Sequence, residues 1–236
     1  MTTYFNGFPK DCMHFLEDLE QNNDREWFNT HKTMYEKNVL APARLYVAAM
    51  GERLQRVIPG IQAIPMVDKS IFRIHRDTRF STDKQPFKTH VGIFLWEGEG
   101  KKLDASGFYL HIEKDKLLIG GGIHIFSPPL LVRYRECVDN AKRGGRLKTI
   151  LDKGQQHFGA DLDTDTYKRV PRGYPADHPR ADLLKKKGVT LGETTAIPPE
   201  LHTPDALDYI YARFEKIVPL HRWLVEMTRL VDDPMA

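Results

Sequence analysis

The residues most able to do chemistry are concentrated in one stretch, from Asp68 to His90, which we call the cationic segment. It contains six lysine and arginine residues and three aspartates, so its formal charge of +3 equals that of the whole 236-residue chain. The positive charge of the protein is therefore concentrated here. Such a segment can bind an anion even on a nearly neutral protein.

The cationic segment offers two kinds of anion-binding side chain. Arginine presents a planar fork that matches phosphate or carboxylate, whereas lysine acts as a point charge. The predicted anion-binding residues are Arg73, Arg76, Arg79, Lys84 and Lys88. Asp77 and Asp83 are predicted to orient the arginines, and Ser81 adds a hydroxyl group beside them. These last three residues also favour turns and caps, so the alternative is a charged loop with a purely structural role.

The strands that follow the cationic segment carry a second group of reactive side chains. Residues two apart on a strand share one face of a sheet, so Tyr109, His111 and Glu113 point in the same direction. Arg73, His75 and His90 join that face if the strands pair in register. Side chains of these types exchange protons with ligands, and the predicted acid–base residues are His90, Tyr109, His111 and Glu113. The alternative is the ordinary solvated face of a half-buried sheet.

The same face has the donor types of a metal site. His75, His90, His111 and Glu113 offer nitrogen and oxygen ligands. No His-Glu-x-x-His motif is present, and the neighbouring cations would repel a divalent ion. We therefore predict no metal site, and the sequence indicates no particular cofactor.

Alternation of apolar and polar residues predicts the strands that hold these side chains. The predicted strands cover residues 71–75, 89–96, 108–113 and 117–122. Short links between them favour an antiparallel sheet with one buried face. The side chains predicted to share that face are Phe72, Ile74, Val91, Ile93, Leu95, Phe108, Leu110 and Ile112. The run Gly120-Gly121-Gly122 lacks the spacing of Rossmann or P-loop motifs and is more typical of a bulge or a close backbone approach.

Helical periodicity predicts layers of helices before and after the sheet. N-terminal helices are expected to begin at Pro9, after Asn22-Asn23-Asp24, and at Pro42. Further helices are expected from Pro128 to about Asn140, from Leu147, within 180–187, and from Pro204 to about Leu230 with a kink or break at Pro219. The predicted fold is a single α+β domain over residues 1–236, with a central, mainly antiparallel sheet and N-terminal and C-terminal helical layers.

The second predicted helix is expected to contact the cationic segment. Trp27 and Phe28 should be largely buried, because they lie on the apolar stripe of this helix. Arg25, Glu26 or His31 should reach the segment, because a helix that only covers the sheet would not need three polar residues there.

Composition indicates a folded, soluble protein of the cytoplasm. Apolar residues make up 41% of the chain and charged residues 28%, which excludes intrinsic disorder. Cys12 and Cys137 are too few for a disulfide framework or a four-thiolate zinc site, which favours a reducing compartment. The first ten residues do not resemble a signal peptide, and no uncharged stretch reaches the roughly 20 residues of a membrane-spanning helix, so no membrane association is predicted.

Several motifs resemble those of one known family. They are Asn22-Asn23-x-Arg25-Glu26-Trp27-Phe28-x-x-His31-Lys32-x-x-Tyr35, Arg73-x-x-Arg76-Asp77-x-Arg79-Phe80-Ser81-x-Asp83-Lys84-x-Pro86-x-Lys88-x-His90, Tyr109-x-His111-Ile112, the triple glycine and Arg169-x-Pro171-x-Gly173-Tyr174. From about Phe15 to Leu224 the chain is similar to the family called domain of unknown function 2461. Phe87 stands where members often have tyrosine, and His124 stands where they have an aromatic residue. The resemblance implies a soluble, stand-alone α+β protein and supplies no activity.

The leading hypothesis is an enzyme or binding protein for a small anionic molecule that carries a phosphate or a carboxylate. The sequence does not decide between catalysis and binding, and it does not indicate an oligomeric state. One alternative is a nucleic-acid-binding module that uses the same cationic segment, although a net charge of +3 is small for such a protein. Another is a structural or partner-binding protein in which the motif stabilises the fold.

Overall fold

The computed structural model describes residues 4–98, 102–158 and 165–232. Its N-terminal part is helical, as predicted, and contains α1 (Lys10–Gln21), α2 (Arg25–Tyr35), a π-helical turn (Glu36–Leu40) and α3 (Ala41–Gln55). Helix α2 begins after Asp24, whose carboxylate accepts hydrogen bonds from the backbone N–H groups of Glu26 and Trp27, both at 2.9 Å. The run Asn22-Asn23-Asp24 therefore correctly predicted where α2 begins.

The described residues contain a five-stranded antiparallel sheet. Its strands are β1 (Ile61–Gln62), β2 (Val91–Glu97), β3 (Gly107–Ile112), β4 (Lys116–Ile123) and β5 (Val189–Ala196). They are ordered in the sheet as they are in the sequence. The predicted α+β class, with an antiparallel sheet and helices on its N-terminal and C-terminal sides, is confirmed.

The later helices are present, but some of them begin and end at other residues than predicted. They are α4 (Pro128–Asp139), α5 (Ala141–Phe158), α6 (Ala181–Leu184) and α7 (Ala206–Asp232), with short 3-10 turns at Lys102–Asp104 and Pro199–His202. Asn140 separates α4 from α5, because its side chain accepts hydrogen bonds from two backbone N–H groups of α5. Pro219 lies inside α7, where buried residues on both sides hold the helix together. None of the described helices is long and apolar enough to cross a membrane.

The chain divides into two compact units. One unit contains the described residues up to Leu95, together with Tyr109–Ile119 and Thr194–Ala212. The other contains Trp96–Phe108, Gly120–Glu193 and the described residues from Arg213 onward. All the predicted site residues lie in the first unit. A single domain over residues 1–236 remains a prediction.

The predicted buried face of the sheet is confirmed at most positions. Seven of its eight predicted side chains are buried: Ile74, Val91, Ile93, Leu95, Phe108, Leu110 and Ile112. The prediction is wrong for Phe72 and for a strand over 71–75, which forms only isolated bridges, one between Ile71 and Ile93. Because Ile71 pairs with Ile93 and is itself buried, Phe72 lies on the other face, beside Gly92 and Tyr109.

Strand β5 was not predicted from the sequence. It runs beside β4, and Gly122 of β4 allows the close approach. Gly122 has a φ of +134°, and a Cβ atom there would lie 2.1 Å from the carbonyl oxygen of Val189. The triple glycine therefore marks a close backbone approach, as the sequence pattern favoured.

Candidate functional site

Three predicted acid–base residues form a continuous hydrogen-bonded chain along β3. The Tyr109 hydroxyl lies 3.1 Å from Nδ1 of His111, and Nε2 of His111 lies 2.9 Å from Oε1 of Glu113. A carboxylate only accepts, so a neutral His111 donates from Nε2 to Glu113 and accepts from Tyr109 at Nδ1. His90 stacks on His111 with ring centroids 4.1 Å apart. We call these four residues the polar row, and their arrangement allows proton exchange with a ligand.

Burial and neighbouring cations set the protonation of the polar row. Burial is the main cause that lowers the pKa of His90 to about 4, and nearby charges, those of His111 when it is protonated and of Lys88 and Arg76, contribute in the same direction. Burial, assisted by the charge of Glu113, raises the pKa of Tyr109 to about 12. At neutral pH His90 is therefore an uncharged base, and Tyr109 keeps its proton.

Two of the predicted anion-binding arginines pair with aspartates of their own loop. Arg76 Nη1 lies 2.5 Å from Asp83 Oδ2. Arg79 contacts Asp77 with two nitrogens, at 2.9 and 2.6 Å, and this hydrogen bonding lowers the pKa of Asp77 to about 2. Hydrogen bonding to Arg76 likewise lowers the pKa of Asp83. The predicted orienting role of the two aspartates is consistent with this pairing, which also offsets much of the local positive charge.

The remaining predicted binding residues have different surroundings. Lys84 Nζ donates to the Thr78 carbonyl oxygen at 3.0 Å, and the partly buried Ser81 hydroxyl makes no hydrogen bond with a described residue. Arg73 is exposed and forms no ion pair within the described part of the chain. Lys88 is partly buried, with Nζ lying 5.5 Å from the centroid of the Phe72 ring.

Lys88 has no carboxylate partner within the described ranges. Its Nζ makes no hydrogen bond or ion pair there. Burial lowers the pKa of Lys88, and the charge of Arg73 lowers it further, while the more weakly felt Asp68 opposes both. A partly buried ammonium group beside another cation is a position that an anion would stabilise.

Helix α2 and the link before it contact the cationic segment through residues other than those predicted. Asn23 Nδ2 donates to the Phe87 carbonyl oxygen and its Oδ1 accepts from the Phe87 N–H, both at 3.0 Å. Phe28 is buried and stacks on the Phe87 ring, with centroids 4.2 Å apart. Trp27 is only partly buried and stacks on His31. The predicted reach of the polar residues is not seen, because Nδ1 of His31 binds the Trp27 carbonyl oxygen, and the remaining two, Arg25 and Glu26, are exposed.

Replacing Asn23 by alanine is expected to destabilise the protein by about 1–3 kcal/mol, the usual cost of leaving partly buried polar groups unpaired. The Phe87 N–H and carbonyl groups would both lose their partner. Urea denaturation measures this loss. The control is Asn29→Ala at an exposed position of α2, which should change the free energy of unfolding by less than about 0.5 kcal/mol. Equal effects of the two substitutions would contradict the role of Asn23.

A small cavity lies beside His90, and we call it the His90 cavity. Its lining residues are Tyr35, Val39, Leu40, Ala43, Ile71, Phe72, Ile74, His90 and Val91. Its volume of about 10 Å³ is close to the lower limit for one water molecule. The π-helical turn supplies Val39 and Leu40, and such turns often occur at functional sites.

The donor set does not assemble into a metal site. Among the described residues, no group of three or more histidine, cysteine, aspartate or glutamate side chains is arranged to hold a metal ion. His75 is exposed and lies against Phe87 rather than in the polar row. Cys12 and Cys137 are buried free thiols, and burial raises the pKa of both, that of Cys12 to about 12. Neither is therefore suited to act as a nucleophile.

Sequence reasoning missed a buried polar cluster in the second unit. His221 of α7 is 0% exposed; its Nδ1 lies 3.0 Å from the Ser106 hydroxyl, and its Nε2 lies 2.9 Å from Glu97. Glu97 also accepts from Arg229 at 2.9 Å. The feature of the sequence that indicated this cluster was the position of His221 on the apolar stripe of the last predicted helix, which also carries the buried Phe214. Ser106 is fully buried, so this cluster stabilises the fold and does not present a nucleophile.

The low pKa of His90 predicts a loss of stability in acid. Its pKa is about 4 in the folded protein and about 6.5 in an unfolded chain, so the unfolded chain binds more protons between these values. The free energy of unfolding should therefore fall as the pH drops from about 6.5 towards 4. Urea denaturation at pH 7 and pH 5 should show a smaller fall for His90→Gln than for the wild type. His124→Gln, at an exposed position, should keep the wild-type fall, and identical behaviour of both variants would contradict the assignment.

Comparison with known proteins identifies a family and no activity. The model of a family described as "Conserved hypothetical protein (DUF2461)" matches residues 11–223. No curated protein and no solved structure matches the chain. The match confirms the resemblance seen in the sequence motifs.

Proposed function

We propose that this chain, which belongs to the DUF2461 family of conserved hypothetical proteins, binds a small organic anion at the polar row. Lys88, Arg73 and Arg76 would hold the phosphate or carboxylate group of that anion. His90, Tyr109, His111 and Glu113 would exchange protons with it. The observation that carries the proposal is Lys88, a partly buried cation without a described carboxylate partner.

Electrostatics favours an anion over other ligands at this position. The charges of Arg76 and Lys88 both lower the pKa of His90, and the charge of Arg73 lowers that of Lys88. Burial is the larger cause of both shifts, and the charges add to it because cationic groups lie close together. A bound phosphate or carboxylate would relieve this repulsion and accept charged hydrogen bonds.

The polar row gives the same site a means of proton transfer. Neutral His90 can accept a proton from a ligand, and it stacks on His111, the middle residue of the chain that runs from Tyr109 to Glu113. Tyr109, with its raised pKa, keeps its proton, and its hydroxyl oxygen can accept a hydrogen bond from a ligand while it donates to His111. The site therefore combines anion binding with groups for general acid–base chemistry.

Nucleic-acid binding is the less favoured function. Arg79 is paired with Asp77 of the same loop, and Lys84 donates to the Thr78 carbonyl oxygen, which leaves fewer free cations for a track of phosphates. A salt titration separates the two functions, because binding to several backbone phosphates weakens steeply as ionic strength rises.

Lys88→Met is expected to weaken binding of inorganic phosphate and acetate by about 10- to 150-fold, the equivalent of a lost charged hydrogen bond of about 1.5–3 kcal/mol. Chemical-shift titration of the ¹⁵N-labelled protein at low salt measures the affinities. Lys84→Met is the matched control, because Lys84, which the sequence also predicted to bind the anion, is exposed and already donates to the Thr78 carbonyl oxygen. The proposal fails if the wild type binds neither anion, or if the two variants bind them equally well.

A further inference from the structure

We infer that a groove between α5 and α7 binds a straight-chain carboxylate, whose alkyl chain lies along the groove and whose charged group lies beside Lys153 and Lys216. We call it the α5–α7 groove. It belongs to the second compact unit and contains no residue of the polar row, so the inference goes beyond the proposed function.

The size and shape of the groove suit an elongated small molecule. Its volume of about 360 Å³ lies within the range of small-molecule sites, about 300–1,000 Å³. Helix α5 lines it with Arg146, Thr149, Ile150, Lys153, Gly154 and His157, which recur every three or four residues along one face of the helix. At a rise of about 1.5 Å per residue this face is about 16 Å long, so a straight chain fits it better than a compact molecule.

Part of the lining is apolar. Ile150 is partly buried there, and Pro219 presents an exposed ring from α7. The stems of Lys153 and Lys216 add further methylene groups. An alkyl chain in contact with these groups gains about fourfold in affinity for each methylene group that it buries.

Pro219 stands at a position that is unfavourable for the helix itself. Its nitrogen has no hydrogen to donate to the Glu215 carbonyl group one turn earlier, and proline in the interior of a helix costs stability. The Pro219 side chain is exposed, so it does not stabilise the core in return. Contact with a bound alkyl chain accounts for an apolar ring in the lining of the groove.

Two lysines give the groove a positive charge. Within the described ranges, neither Lys153 nor Lys216 makes an ion pair or a hydrogen bond. Arg146 is already paired with Glu226, and Glu215 contributes the opposite charge to the lining. The two lysines outweigh that carboxylate, so an anion is favoured over a cation. A carboxylate with an alkyl chain complements both the charge and the apolar part of the groove.

The test is a chemical-shift titration of the ¹⁵N-labelled protein at low salt with octanoate, octylammonium and acetate, all below the concentration at which micelles form. Octanoate should shift the amide signals of residues 149–157 and 215–218. It should bind there about 15-fold more tightly than acetate, the equivalent of two buried methylene groups. Octylammonium, which has the same chain and the opposite charge, should bind more weakly than octanoate.

The charge of the groove is tested by the double substitution Lys153→Gln and Lys216→Gln. It should weaken octanoate binding by about 5-fold or more, the effect of two exposed ion pairs. Lys148→Gln is the matched control, because Lys148 lies on the opposite face of α5 and is paired with Asp152. Wild-type affinity in the double variant, or an equal loss in the control, would contradict the assignment.

The space in the groove is tested by Thr149→Phe. Thr149 is exposed, so a larger side chain can enter the groove without disturbing the core, and octanoate binding should be lost. Gln155→Phe places the same ring on the opposite, exposed face of α5 and should bind octanoate like the wild type. Octanoate binding retained in Thr149→Phe would overturn the inference.

The groove and the polar row are distinguished in the same titrations. Lys88→Met should weaken anion binding at the polar row and leave octanoate binding at the α5–α7 groove unchanged. Octanoate shifts confined to the polar row, or equal affinities for octanoate and octylammonium, would overturn the inference about the groove. Octanoate binding at the groove with no anion bound at the polar row would overturn only the proposed function.

Discussion

Replacement of His221 by alanine is expected to lower the free energy of unfolding by about 3–5 kcal/mol, the loss typical of a broken buried polar pair. The ring is fully buried between two partners, the Ser106 hydroxyl at 3.0 Å and Glu97 at 2.9 Å. Its removal would leave a buried hydroxyl without this partner and open a cavity beside Phe108, whose ring centroid lies 4.9 Å away. Urea or guanidinium denaturation measures the change.

Arg229 provides the matched control for His221, because it contacts the same Glu97 from a more exposed position. Its side chain is 72% exposed, and ion pairs of that kind contribute about 0–1 kcal/mol. Arg229→Ala should therefore cost at most about 1 kcal/mol. A loss for His221→Ala as small as that for Arg229→Ala would show that the buried cluster does not stabilise the fold.

Local pattern was sufficient to predict the parts of the fold that repeat regularly. Strand β3 alternates apolar and polar residues, β2 and β4 are apolar runs joined to it by short polar links, and helix α2 follows a strong capping residue, so these elements were located from the sequence. Strand β5 has the sequence Val-Thr-Leu-Gly-Glu-Thr-Thr-Ala, in which only the first half has apolar residues facing the core. The pairing of Ile71 with Ile93 joins an irregular segment to a strand, and the periodicity of a sequence does not show which residues of such a segment pair with the strand.

In the candidate site, too, relations between residues close in the sequence were predicted, and contacts between residues far apart in the sequence were not. The spacing of two residues predicted that Tyr109, His111 and Glu113 share one face, because that relation depends only on strand geometry, and the structure joins the three by hydrogen bonds. The sequence left open whether Arg76 binds a ligand or an ion-pair partner. The structure pairs it with Asp83, and its role towards a ligand remains a prediction. The contact of Asn23 with Phe87 spans 64 residues and had no local signal.

Gly144→Ala is expected to destabilise the protein by about 3 kcal/mol or more. A Cβ atom at this position of α5 would lie 2.1 Å from the Val138 carbonyl oxygen and 2.6 Å from Nε of Arg180. These two atoms are themselves hydrogen-bonded at 2.6 Å, so the added carbon would separate a charged donor from the end of α4. Overpacking costs about 1–3 kcal/mol, and a lost charged hydrogen bond costs about 1.5–3 kcal/mol.

The neighbouring glycine makes this a matched experiment within one helix. A Cβ atom at Gly145 would meet nothing within 4 Å, so Gly145→Ala removes only the entropic disadvantage of glycine in a helix. It should therefore raise the free energy of unfolding by about 0.5–1 kcal/mol. Denaturant unfolding of both variants should show changes of opposite sign. Stabilisation by both substitutions would mean that α5 does not approach Val138 and Arg180 as closely as described, because helix propensity alone would then decide the outcome at each position.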